Sequence, residues 1–285
     1  MKAPKNYLIG IHSYKRGDWL LKYVNSLTVM SENIISNTKI FIRREEYENY
    51  LDVANKFNVN LECIDVAKES YLALTRDIML DYAIKKGYTH YIMLDDDIRF
   101  AIRPYLSGVY RTSTKETFEK MINEVIAICD NEYPITGIVA RQFSNNFNML
   151  YRENQRIIQL MCIHIPTIKK DRVYFNALNL SCMSDYYFVL SYLKKGYKNK
   201  VITMYTRDDK MQTEGGCSVY RTPKMVSNSA VKLYKAFPDC VTLAYKNTGT
   251  WKEERIDVKM QWKKAFDKEK YGERMAKEII SREII

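Results

Sequence analysis

Short apolar runs and amphipathic stretches take turns over the first ninety-odd residues, and that alternation limits the fold more than any other feature of the chain. Tyr7-Leu8-Ile9-Gly10-Ile11 is a strand-like run, followed by a polar stretch from His12 to Gly17. Asp18 then stands where it can cap a helix through Trp19, Leu20, Val24 and Leu27. The pattern repeats as a strand over 38–42, a helix over 45–57 and a third strand over 60–64. An amphipathic helix over 70–85, with Leu74, Ile78 and Tyr82 on one side, stops at Gly87 and leads into the buried strand Tyr91-Ile92-Met93-Leu94. Strands alternating with helices predict an α/β architecture, a mainly parallel sheet flanked by helices.

Further along, the spacing predicts a helix over 114–128, a strand over 137–140, a helix over 185–193 stopped at Gly196, and a strand over 200–205. From Trp251 the tail is charge-rich, and Trp262, Phe266, Tyr271, Met275 and Ile279 recur at helical spacing. The expected organisation is a main domain over 1–220 with a C-terminal helical appendage over 221–285 packed on it. No apolar stretch of about twenty residues interrupts the chain, so a soluble, cytoplasmic protein with no membrane partner is expected. The six cysteines are scattered without a Cys-x-x-Cys pair, which argues for reduced thiols over a zinc ribbon or disulfide scaffold.

Asp95-Asp96-Asp97 comes directly after the buried strand. In an open parallel sheet ligands bind at the carboxyl ends of the strands, so these carboxylates project toward the expected site. Three adjacent carboxylates repel one another, and a hard divalent cation, Mn²⁺ or Mg²⁺ completed by substrate phosphates, offsets that cost. A solvated acidic turn is the plainer alternative. An EF-hand does not fit, because the ligand spacing breaks at Arg99.

Leu74-Thr75-Arg76-Asp77, the turn at Gly87, and Tyr91-Ile92-Met93-Leu94-Asp95-Asp96-Asp97 together resemble the family-2-like GT-A nucleotide-sugar glycosyltransferases. Asp77 stands where that family usually has Asn. The resemblance covers about residues 7–205 and implies a Rossmann-like GT-A fold. It implies that Asp95 contacts the donor and shares the metal with Asp97, with Asp96 beside them, and that Arg76 holds the carboxylates or the diphosphate. A surface ion pair is the alternative for Arg76. The loop His12-Ser13-Tyr14-Lys15-Arg16 is similar to the segment that cradles the nucleotide, with Ser13 and Arg16 as candidates. Asp65 resembles the residue that reads a uracil edge, and an ordinary turn aspartate serves equally well there.

Ser184-Asp185-Tyr186-Tyr187 opens a helix similar to the acceptor helix of that family, with Ser184 in place of its first acid. Inverting transfer needs a base for the acceptor hydroxyl, and Asp185 is the candidate. The alternative is an N-cap or first-turn aspartate favoured by the helix dipole. Gly215-Gly216, after Thr213-Glu214, suggests a loop able to close over a substrate, or a plain turn. Many such enzymes take a third metal ligand from a histidine near the C-terminus, whereas the histidines here are His12, His90 and His164.

The formal charge of +11 favours polyanionic partners without choosing among them. Arg99, Arg103, Arg111 and Lys115 follow the aspartates without an intervening acid, and Arg141, Arg152, Arg156, Lys169, Lys170 and Arg172 interleave with Phe143, Phe147 and Tyr151. Arg99, Arg103, Arg111 and Arg141 are the candidate nucleic-acid contacts. Size, charge and layout also resemble the TET/JBP-associated glycosyltransferases of bacteriophages, which implies a hydroxymethylated pyrimidine in DNA as acceptor and a bacterial or phage-infected host cytoplasm. The expected activity is metal-dependent hexosyl or pentosyl transfer from a nucleotide-sugar, a UDP-sugar foremost, to a hydroxyl. A saccharide or protein acceptor, a sugar nucleotidyltransferase, a nuclease and a non-catalytic nucleic-acid-binding protein are the competing expectations. The nucleotidyltransferase lacks its glycine-rich first loop here.

Overall fold

The computed structural model describes residues 6–67, 72–104, 109–141, 149–209, 215–247 and 253–283. Ser70, Phe143, Phe147, Thr213, Glu214, Trp251 and the side chain of Ile279, named above, lie outside the described residues. At the centre of one half of the sheet, β1 (Tyr7–His12) pairs in parallel with β2 (Thr38–Arg43) and β4 (His90–Asp95), while β3 (Asn60–Ile64) extends it beyond β2. Gly10 is required on β1 because a Cβ there would stand 2.8 Å from the Tyr91 ring.

The other half begins with β9 (Leu160–His164), which runs antiparallel between β4 and β7 (Ile135–Ala140). The long β10 (Asn199–Asp209) pairs in parallel with β7 and antiparallel with β5 (Ile98–Ile102) and β8 (Tyr151–Glu153), and β6 (Arg111–Thr112) closes the edge against β5. The order is β3-β2-β1-β4-β9-β7-β10-β5-β6. Most strands share one direction, with β5, β8 and β9 opposed, so the mainly parallel α/β sheet is what forms.

Side chains alternate across the pleat and feed two cores. Ile9, Ile11, Ile92 and Leu94 face α1 (Gly17–Lys22), α2 (Glu32–Ser36), α3 (Tyr47–Phe57) and α5 (Lys115–Ala127). Leu8, Tyr91 and Met93 face α4 (Leu72–Lys85), α6 (Ile165–Lys170), α7 (Ser184–Lys194) and α8 (Pro223–Ala236). No helix of the described residues is long and apolar enough to cross a membrane.

Two expectations need correction. The helix expected from Asp18 through Leu27 ends at Lys22 in α1, with Arg16 in the cap position and no side-chain cap. The Asn25 side chain accepts the Leu27 N–H at 2.9 Å and starts a separate 3-10 turn, Ser26–Val29, which shows asparagine competing with the helix for backbone donors. The C-terminal region is also not purely helical. Arg255, Asp257 and Lys259 alternate with Ile256, Val258 and Met260, a period of two, and form β12 (Arg255–Met260) against β11 (Val241–Lys246). Only then come α9 (Trp262–Ala265) and α10 (Lys268–Glu283). Leu233, Phe237, Val241 and Ala265 belong to the same core as Phe188 and Met93.

Candidate active site

Register sets the site. His12 ends β1 directly opposite Asp95 at the end of β4, so the loop after β1 and the acidic turn after β4 emerge together from neighbouring parallel strands. Asp95 N–H donates to the Gln159 carbonyl at 2.9 Å, and the Ser26 hydroxyl donates to the Asp95 carbonyl at 2.7 Å, which anchors the turn on both sides.

The three aspartates face three environments. Asp96 is buried, accepting from Ser13 Oγ at 2.5 Å and from Arg16 Nη1, so its carboxylate ties the acidic turn to the first loop. Tyr50 continues that tie, with its hydroxyl 2.8 Å from Ser13 Oγ and accepting the Arg16 N–H at 3.0 Å. Asp97 Oδ2 lies 3.1 Å from Arg16 Nη1. Asp95 Oδ1 is buried and has no hydrogen-bond partner among the described residues, with His12 Nε2 at 3.3 Å and Arg76 Nη2 at 3.9 Å as its nearest charged or ionisable neighbours. Burial pushes the Asp95 carboxyl up to about 8; Arg76 opposes that rise, while Asp97, Asp96 and Asp185 add to it. Burial, with Arg76 and Arg16 nearby, holds His12 well below its ordinary value and keeps it neutral.

Arg76 links the two halves of the site. From α4 its Nη1 donates to Ser184 Oγ at 2.9 Å and sits 3.6 Å from Asp185 Oδ1, while Nη2 faces Asp95. Asp185 lies in the first turn of α7, after Met183, which takes the N-cap place in a left-handed conformation (φ 64°) without a side-chain cap. Asp77, next to Arg76, accepts the Phe175 and Asn176 N–H groups at 2.6 and 3.0 Å, so it fastens the segment before α7 to α4.

These groups line one cavity of about 480 Å³ at the carboxyl ends of the strands. Ser13, Arg16, Arg76, Asp95, Asp96, Asp97 and Asp185 all reach it. Asp65 does not: its carboxylate is exposed and held by Arg44 Nε and Nη2 at 2.7 and 2.9 Å. Nor do Arg99, Arg103, Arg111 and Arg141 line it: the first three lie on or just after β5 and β6 at the far edge of the sheet, and Arg141 follows β7. There Arg103 and Arg141 lie over the Tyr110 ring, at 3.7 and 5.0 Å from its centre.

The cavity also contains residues not proposed from sequence. Arg43, whose Cζ lies 4.4 Å from the centre of the Tyr14 ring, contributes from the end of β2. Arg221 and Arg255 come from the C-terminal region, and Arg156 was noted only as one cation in a basic segment. Local sequence carried no signal for these. Gly215 and Gly216 sit at φ 68° and 58°, and Gly216 N–H donates to the Tyr14 carbonyl at 2.7 Å. A Cβ on Gly215 would stand 2.6 Å from the Lys15 carbonyl oxygen and 3.0 Å from that of Tyr14, so glycine at this left-handed position lets the segment lie on the first loop.

For a metal, no group of three or more His, Cys, Asp or Glu side chains converges among the described residues. Two carboxylates, one with an orphaned buried oxygen, nonetheless suit a hard cation that keeps waters and takes its other ligands from phosphate. The donor set therefore fits Mg²⁺ or Mn²⁺ with a nucleotide present.

No protein-family model matches the sequence, and no curated protein does. Solved structures do resemble the fold. GalNAc-T7, solved with UDP, GalNAc and Mn²⁺, superposes with a TM-score of 0.50 at 10% identity over 73% of this chain and 44% of its own. TarS 1-349 of S. aureus gives 0.47 at 10% identity over 80% and 65%. A cytidylyltransferase from Leptospira borgpetersenii gives 0.41 at 11% identity over 82% and 96%. The chain thus spans less than two thirds of the first two, and the likeness to GalNAc-T7 is one of fold: the architecture is GT-A-like.

Proposed function

We propose that the chain is a metal-dependent glycosyltransferase that moves a hexosyl or pentosyl group from a nucleoside-diphosphate sugar, a UDP-sugar foremost, to an acceptor hydroxyl. The supporting observation is that Arg76 joins Asp95, at the end of β4, to Asp185, at the start of α7, within one cavity. A donor-side acid and an acceptor-side acid held by one cation suit group transfer between two bound substrates. GalNAc-T7, which shares the fold, was solved with UDP and Mn²⁺, which supports a nucleotide and a metal here.

Asp95 and Asp97 would hold the cation, which when bound neutralises charge on the departing diphosphate. Asp96, Ser13 and Arg16 keep the first loop against the acidic turn, and Tyr14 with Arg43 offers a flat cationic face for the base. Asp185 accepts the proton of the attacking hydroxyl as its oxygen bonds to the anomeric carbon and the carbon–oxygen bond to the diphosphate breaks, the electron pair leaving with the diphosphate. Arg76 Nη1, 3.6 Å from Asp185 Oδ1, fixes where that carboxylate sits in the cavity. Ser184 orients Arg76.

For the acceptor, the proposal takes a hydroxymethylated pyrimidine in DNA, supported by the net charge of +11 and by the Arg103–Tyr110–Arg141 cluster outside the cavity. The test incubates the protein with Mn²⁺ and a panel of nucleotide sugars and measures released nucleoside diphosphate, with and without DNA containing 5-hydroxymethylcytosine. Release should require the metal and rise with the modified DNA, and Asp185→Asn should lower kcat by about a hundredfold to ten-thousandfold. Metal-dependent release indifferent to DNA would keep the glycosyltransferase and discard the DNA acceptor. DNA binding without release from any donor would leave a binding protein.

A further inference from the structure

The arginines around the cavity divide by what they already hold. Arg16 is engaged with Asp96 and Asp97, and Arg76 with Asp95 and Asp185. Arg221 faces the Cys217 and Cys182 thiols and follows the segment laid on the first loop. Arg156 differs from all of these: its guanidinium lies 4.8 Å from the centre of the Tyr186 ring, and no carboxylate of the described residues is within ion-pair distance of it.

Its position is informative as well. Cavity-lining residues at the ends of β2 and β3, Phe41, Arg43 and Ile64, lie on one side of β1 and β4. Arg156 enters from the other side, in the segment leading to β9, three residues before the Gln159 carbonyl that receives Asp95 N–H. Tyr186 lies against it and Asp257 lies near Tyr186, while Arg255, two residues before Asp257 on β12, also lines the cavity. Asp257 does not neutralise the wall, because Lys246 Nζ pairs with it at 2.6 Å. Tyr186, next to Asp185, stays a neutral hydrogen-bond donor, because burial pushes its phenol up to about 12. The half of the cavity beyond Asp95 and Asp185 therefore carries a planar cationic fork on an aromatic platform, with a second arginine, Arg255, elsewhere in the lining.

Resting on the glycosyltransferase proposal, the geometry points to an acceptor that carries an anionic group, a phosphate or a carboxylate, beside its reacting hydroxyl, with Arg156 as the residue that receives it and Arg255 in support. A guanidinium fork binds either oxyanion bidentately, and the Tyr186 ring beneath it keeps the fork in one plane. Anchoring the anion at Arg156 turns the hydroxyl of the same molecule toward Asp185, so the anionic group acts as the handle by which the acceptor is oriented.

The test fills the donor half first. Protein saturated with UDP and Mg²⁺ is titrated with inorganic phosphate, and in a second arm with acetate, by calorimetry. One anion should bind alongside the nucleotide; Arg156→Ala should weaken it about tenfold or more and Arg156→Lys less, with UDP affinity within about twofold throughout. Thermal melting checks that the exposed Arg156 leaves the fold unaffected. The stronger of the two anions identifies the group. No bound anion, or equal binding in wild type and Arg156→Ala, overturns the inference. If UDP itself does not bind, the donor proposal fails, and the same titration of the protein alone still decides whether Arg156 holds an anion.

Discussion

Asp96 and Asp97 both meet Arg16 Nη1 but differ in burial, and substitution should separate them. Asp96 is buried beneath Ser13 and Arg16, so Asp96→Ala leaves a guanidinium short of its principal partner and should cost about 2–3 kcal/mol, lowering Tm by roughly 5 °C. Asp97→Ala should leave Tm of the cation-free protein within about 1 °C, because removing one of three adjacent carboxylates relieves repulsion that offsets the lost contact with Arg16. If the proposed donor site is right, Mn²⁺ with UDP should raise the Tm of the wild type, and Asp97→Ala should abolish that rise. Melting curves of the two variants with and without both ligands check this, and equal cation-free losses would refute the division of labour. A second prediction concerns Cys182 on the cavity wall, whose thiol burial pushes up to about 11. Only about one in a thousand molecules carries the thiolate at pH 8, so alkylation by iodoacetamide should be slow there and accelerate about tenfold per pH unit up to pH 10. Peptide mass spectrometry reads the rates, and a free-thiol rate at pH 8 would contradict the burial.

At the scale of the element, the docking of α10 depends on one glycine. Gly196 ends α7 at φ 77°, and a Cβ there would stand 2.4 Å from Tyr271 N and 2.6 Å from the Lys270 carbonyl carbon. Gly196→Ala should therefore push α10 away from Glu132 and Tyr197, which Tyr271 and Arg274 now contact, at a cost of about 1–3 kcal/mol. Amide exchange across 268–277 should speed up while β1 and β4 keep their protection; unchanged exchange on α10 would show that the clash relaxes locally. Glycine stops of this kind were visible in the sequence, as were the strands from β1 to β4, because their apolar runs are bounded by turn residues. β12 was not, because a period of two among charged residues was overshadowed by the helical spacing that begins at Trp262. β9 was not, because a buried strand carries no alternation to detect and its partners β4 and β7 lie far off in the chain.

For the whole molecule, the division at residue 220 does not correspond to a break in packing. Leu233, Phe237, Val241 and Ala265 lie in the core shared by α4, α7 and the sheet, so residues 1–220 alone should show no cooperative thermal transition. A sharp melt from that fragment would establish two separable units. The charge-rich tail made an appendage the natural expectation, since the contacts that bury its few apolar residues are long-range and leave no local trace. The candidate site was legible for a related reason: Asp95, Asp96 and Asp97 advertise themselves by sequence proximity, whereas Arg156, Arg221 and Arg255 acquire meaning only from where distant segments come to rest.

The cavity draws on residues from His12 to Asp257. While the chain is being synthesised from its amino end, the loop after β1 and the acidic turn after β4 emerge early, but the wall that faces them does not exist until β12 has left the ribosome. The closed cavity is therefore unavailable to the nascent polypeptide and becomes a property of the completed fold, so that a ligand held between its two walls reports that the last third of the chain has found its place.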